Sequence, residues 1–224
     1  MRRLVAAAAA MAALVVGGCS VSDDGATDAE AGAIAAAQAY VDAIAARDLA
    51  TVEEMTDPEA FRYHVASAKE QDIRAALPDA EPIADPWVSL VSATSEARYG
   101  PVEYLLDVSY ELRGLTGGGT VVVRLGEDAD PDDVASWTVT EPLVVRASTW
   151  VDGSHVPAAR IGRVALPPDS SSSALVKVWG YPGGYTLEPA EPIPEVEPLW
   201  VAVGLADAPP WDDSLPKLGE RPDD

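Results

Sequence analysis

"VEYLLDVSYELRGLTGGGTVVVRL" spans residues 102–125 and decides the fold class. Val102, Tyr104, Leu106, Val108, Tyr110 and Leu112 alternate with Glu103, Asp107, Ser109 and Glu111; Leu105 is the one apolar residue on the polar side. Successive side chains of a strand point to opposite faces, so this period of two predicts a half-buried strand. Gly117-Gly118-Gly119 is expected to turn the chain, and Thr120–Leu125 to return as the antiparallel partner. Ser136–Thr140 and Leu143–Trp150 read as further strands, and the alternation begins weakly upstream at Trp87.

Upstream of Trp87 the pattern is helical. Ala26–Ala46 is rich in strong helix formers, with Ile34, Ala37, Val41 and Ile44 at helical spacing and Thr27 or Asp28 as cap. Glu30 and Gln38 flank that stripe, so the helix rests on alanine content as much as on period. Leu49, Val52 and Met55 give a short second helix. Phe61–Leu77 reads as a third, with Phe61, Val65, Ala68 and Ile73 as its stripe. Pro78, Pro82 and Pro86 exclude more helix. Helices followed by an antiparallel meander predict an α+β fold, with the N-terminal helices packed on the sheet.

A second, all-β unit is expected over residues 143–205. Asp152-Gly153 is a turn signal. Ala174–Trp179 and Tyr185–Leu187 flank Tyr181-Pro182-Gly183-Gly184, which fits a type II turn, and Leu199–Val203 is a further strand. Residues 206–224 are acidic and Pro-rich and read as a disordered tail.

The first 18 residues read as a leader. Arg2 and Arg3 precede Leu4–Val16, an uncharged run of thirteen residues, which is short of the roughly 20 needed to span a bilayer. Val16-Gly17-Gly18-Cys19 resembles the bacterial lipobox, with Val16 where Leu is commoner. The resemblance implies that the Cys19 thiol takes a diacylglycerol and that a peptidase cuts between Gly18 and Cys19. Two acyl chains anchor stably where one is marginal, and residues 19–28 would then be a polar tether. The expected location is the extracytoplasmic face of the bacterial cell membrane, with the bilayer as partner through the acyl anchor. Cys19 is the sole cysteine, so the body has no internal disulfide to lean on.

The formal charge is −22. A surface of that sign repels phosphate backbones, whose binding is built on Lys and Arg, so nucleic acid is excluded as an expected partner.

Ala35–Phe61, "AAAQAYVDAIAARDLATVEEMTDPEAF", resembles the opening of NTF2-like domains: a long helix, a short "GD…L" helix, then a curved sheet. Arg47-Asp48-Leu49 stands where the Gly-Asp falls. "SWTVTEPL" (Ser136–Leu143) and "VWGYPGGYTLEP" (178–189) resemble the closing strand and following hairpin of such domains in envelope lipoproteins of high-GC Gram-positive bacteria. The likeness covers about residues 29–142. It implies an NTF2-like domain followed by the small β unit, carrying an unknown envelope protein or small ligand as partner.

Catalytic motifs are scarce. Ser214-Leu215-Pro216-Lys217 spells SxxK, but Pro216 disfavours the helix that would bring Ser and Lys to one face. Ser154 and His155 are adjacent, which in a strand aims them apart. His64 and His155 lack a ligand set of their own, and each reads as a structural histidine. Asp128, Asp130, Asp132 and Asp133 resemble a calcium loop, yet Asp133 replaces its Gly and Val139 its Glu, so an acidic hairpin loop is expected. No metal or cofactor is expected beyond the lipid on Cys19. An NTF2-like enzyme would use Tyr40, His64, Tyr104 or Tyr110 in a conical pocket, but a Tyr on an apolar strand face is ordinarily core. Most of the six tryptophans are expected in core or sheet packing; Trp211, in the acidic tail, has no place in a core and could anchor a partner. The reading is therefore a non-catalytic, lipid-anchored binding or accessory module. The alternatives are an NTF2-like enzyme and a module that positions a cell-wall enzyme.

Overall fold

The computed structural model describes residues 27–61, 70–94, 102–166, 174–205 and 217–219. The fold is α+β and dominated by antiparallel sheet. The chain opens with α1 (Asp28–Ala46) and α2 (Leu49–Met55), then β1 (Glu70–Asp72) and a 3₁₀ segment at Arg74–Asp79. Four strands follow: β2 (Ala84–Thr94), β3 (Glu103–Leu112), β4 (Leu115–Leu125) and β5 (Trp137–Glu141). The remaining strands are β6 (Val145–Val151), β7 (Ala159–Ile161), β8 (Val164–Leu166), β9 (Ala174–Gly180), β10 (Gly183–Pro189), β11 (Leu199–Val203) and β12 (Lys217–Leu218).

Helix α1 starts in a capping box. The Thr27 hydroxyl accepts from the Glu30 amide while the Glu30 carboxylate accepts from the Thr27 amide, so two otherwise orphaned donors are satisfied reciprocally. Its buried face, including Ala33, Ala37, Tyr40, Val41 and Ile44, shares one core with Leu106, Val108, Tyr110, Val121 and Val123 of the sheet β2-β3-β4-β5. Gln38, which the sequence sets beside the stripe, reaches the edge strand and donates to the Pro86 carbonyl at 3.1 Å.

The β3–β4 turn falls at Arg113-Gly114 rather than at Gly117–Gly119. Both turn residues have positive φ, 53° and 76°, as a two-residue hairpin of primed type requires. Gly117, Gly118 and Gly119 instead lie inside β4, opposite Tyr110, Ser109 and Val108 respectively. They are there for room: a Cβ on Gly117 would overlap the Tyr110 ring and the Gly204 carbonyl.

The expected third helix is also replaced in the part described. Glu70–Asp72 pairs in parallel with Lys177–Trp179 of β9, and Ile73 is fully buried in a second core. Arg74 closes this corner. It grips Asp72 with two nitrogens and lies over the Phe61 ring at 3.5 Å and the Trp179 ring at 4.8 Å. Long-range pairing has overridden local helical spacing there.

The second core lies between the sheets β1-β9-β6-β12 and β11-β10-β7-β8. Ile73, Ala76 and Ala80 belong to it, so the second core takes residues from before the meander. From the stretch read as a tail, Lys217–Leu218 runs parallel to β6 and Leu218 is buried. In the other direction, Tyr181 of the β9–β10 turn is buried in the first core. Glu81 and Gly184 exchange both backbone hydrogen bonds, at 2.6 and 3.0 Å. The Tyr110 hydroxyl donates to the Gly204 carbonyl, and the Arg113 turn is held by Glu81, whose carboxylate also accepts from the Trp200 indole. The two cores are therefore bound together by side chain and backbone alike.

Candidate functional site

Three of the four residues expected in an NTF2-like pocket are core. Tyr40 and Tyr110 are buried, and Tyr104 meets Trp137 edge-on at 5.5 Å with little surface exposed. Burial raises the pKa of all three hydroxyls, that of Tyr40 most plainly, with Tyr181 beside it adding to the rise. The raised values keep all three hydroxyls protonated at neutral pH. Asp107 is exposed on the opposite face of β3 from Tyr104, as the alternation requires. His64, Trp211, Ser214, Gly18 and Cys19 lie outside the described residues.

Tyr40 and Tyr181 form the polar point of the first core. Among the described residues neither hydroxyl makes a hydrogen bond of good geometry, although Thr56 and Leu143 lie near that of Tyr40 and Arg74 near that of Tyr181. Burial pushes the Tyr181 hydroxyl up to about 12, against the pull of the nearby Arg74 guanidinium.

Ser154 and His155 do meet, because they sit in a turn after β6 rather than in a strand. Ser154 Oγ lies 3.0 Å from His155 Nδ1 and donates to Asp152 Oδ1 at 2.6 Å, while Asp152 Oδ2 lies 2.9 Å from the same Nδ1. Nucleophilic catalysis needs the serine and the carboxylate on different ring nitrogens. Here both converge on one, and the serine proton is directed at the carboxylate. The cluster is a turn lock, and the Asp152 amide donates to the Leu218 carbonyl, fastening β12. The Ser154 hydroxyl, then His155, hold the Asp152 carboxyl down to about 2. A depressed carboxyl pKa adds stability above its unfolded value of about 4 and loses it as pH falls through the folded value. The melting-temperature gap between the native chain and Asp152→Asn should therefore be present at pH 6 and close between about pH 4 and pH 2. A gap of the same size at pH 2 would remove this lock.

The acidic residues 128–133 form the β4–β5 loop. They cap their own turns: Asp130 accepts from the Asp132 amide and Asp133 from the Ala135 amide. Among the described residues no group of three or more His, Cys, Asp and Glu is set to hold a metal ion. Of the charged side chains around a depression of about 620 Å³, Asp79 pairs with Arg163 and Glu188 with Arg160.

The remaining feature is aromatic. Trp137 and Trp179 are buried and Trp150 and Trp200 half-buried, but Trp87 is 67% exposed. The sequence suggests core or sheet packing for most of the tryptophans. A β-bulge between Ala84 and Trp87 sets the parity of β2 so that Val88 turns inward and Trp87 outward. Trp87 stands opposite Ser109, which stands opposite Gly118; the next row is Ser89, Asp107 and Thr120. All but Gly118 in these rows are exposed. The result is a flat shelf of short side chains with one large ring at its rim.

No family model matches this chain, and no curated protein or solved structure matches it. Among the described residues no helix is long and apolar enough to cross a membrane.

Proposed function

We propose that the chain is a lipid-anchored protein of the bacterial cell envelope. In this reading its body is a non-catalytic binding module, and α1, α2 and β2–β5 form an NTF2-like layer. One observation carries the binding role: Tyr40, Tyr104 and Tyr110 fill the interior that an enzyme of this kind would keep as a pocket, while Trp87 stands in solvent on the outer face. Tryptophan is among the residue types most enriched at contact hot spots, and the strand that exposes Trp87 exposes Val91 as well. The anchor rests on the sequence around Cys19.

The anchor is tested in cells with a fatty-acid probe. The native chain should take the label and sediment with membranes. Cys19→Ala should lose the label and be released, because a thioether to diacylglycerol has no other site in a chain with one cysteine. Labelling of the variant, or its full retention in the membrane, would overturn the anchor. Turnover of a small molecule by the purified protein would overturn the non-catalytic reading.

A further inference from the structure

The surroundings of Trp87 are electrostatically one-sided. On β3, Asp107 and Glu111 lie two residues either side of Ser109, the cross-strand partner of Trp87. Diagonal neighbours of this kind lie about 7–8 Å apart, within reach of one long side chain placed between them. Both carboxylates are exposed, and neither has an ion pair among the described residues. The cations bordering the face are already engaged. Arg113 is held by Glu81 at 2.7 Å and lies over the Trp200 ring at 4.3 Å. Arg124 is shared between Asp57 at 3.4 Å and Glu103 at 3.8 Å.

We propose that this face docks an extended Lys- or Arg-bearing segment of a protein partner, with one cationic side chain stacked on Trp87 and bridged to Asp107 or Glu111. The inference rests on reading the body as a binding module. An indole face attracts a cation, and guanidinium stacks on it well. The short side chains of Ser89, Ser109 and Thr120 leave the shelf open to a chain crossing the strands. The partner lies on the face and does not extend the sheet. β2 is an edge strand, but Pro86 offers no N–H, its carbonyl is taken by Gln38, and two irregularities break the edge. An aromatic ring beside carboxylates suits a sugar too. The surplus of unpaired carboxylate here and the formal charge of −22 favour the cation.

The test titrates the whole protein with the peptide (Gly-Arg)4 and with an N-acetylglucosamine tetramer at fixed salt, using variants that melt like the native chain. Trp87→Ala should weaken the peptide about threefold or more without changing charge. Asp107→Asn with Glu111→Gln should weaken it about tenfold. Asp128→Asn with Asp132→Asn removes the same charge from the β4–β5 loop and should stay within about twofold. Equal weakening by both double variants together with no effect of Trp87→Ala would overturn the proposal, since the peptide would be reading net charge alone. Sugar binding that depends on Trp87, with peptide binding unchanged, would also overturn it while leaving the binding-module reading in place. Loss of the lipid anchor in cells would not alter any of these titrations.

Discussion

Tyr181→Phe is expected to leave the melting temperature unchanged or raise it, and Tyr181→Ala to lower it severely. The ring is fully buried in the first core, although it comes from the β9–β10 turn of the second sheet system. Among the described residues its hydroxyl makes no hydrogen bond of good geometry, with the Arg74 guanidinium nearby. Removing a buried hydroxyl without a well-formed hydrogen bond removes a desolvation penalty of about 1–3 kcal/mol, which here outweighs the attraction to Arg74. Deleting the ring is different: large buried aromatics replaced by alanine cost about 3–5 kcal/mol through lost transfer energy and the cavity left behind. For a chain of this size that is a fall of roughly 6–20 °C. Tyr110 should respond the other way to the same small change. Its hydroxyl donates to the Gly204 carbonyl, so Tyr110→Phe strands an acceptor and costs about 1–3 kcal/mol. Calorimetry of the three variants separates the cases, and a destabilised Tyr181→Phe would mean that its hydroxyl is bonded after all.

The second large effect is expected at Gly204. Its φ of +93° lies where L side chains are strained, and a Cβ there would overlap the Tyr110 hydroxyl and touch Val145 at 3.0 Å. Backbone strain of about 1–3 kcal/mol adds to overpacking of about 1–3 kcal/mol. Gly204→Ala should therefore cost about 3 kcal/mol or more, read as a drop of several degrees in melting temperature. Pairing it with Tyr110→Phe relieves the clash but not the strain, so the double variant should be less damaged than the sum of the two. Strict additivity would show that the hydroxyl is not what Gly204 makes room for.

These same residues show how far the sequence could be read. Helix α1 was legible because its information is local: Thr27 and Glu30 lie three residues apart and close their own box. The alternation of β3 was legible for the same reason. The glycine run was not, because its cause is the Tyr110 ring and a carbonyl 94 residues from that tyrosine. Glu70–Asp72 carried helical spacing, but its partner strand lies more than a hundred residues on. For Trp87, composition favours the core; a single bulge reverses its face, and no local signal other than Pro86 announces the bulge. The polar residues of the shelf were visible as the outer face of β3, but not that a tryptophan would stand beside them.

The sheet β1-β9-β6-β12 has a consequence for how the molecule comes into being. Its outer strands are β1 and β12, both joined in parallel, one made before the meander and the other after β11. A polypeptide emerging from its N-terminus can build α1 and β2–β5 early, while Ile73 and Ala76 wait exposed until β9 and β10 arrive. Pairings of that sequence separation are slow to form, since loop closure precedes any gain in contact. The order of emergence therefore leaves a sticky half-built edge as the vulnerable species, and β12 acts as the closing stitch of a seam begun near residue 70.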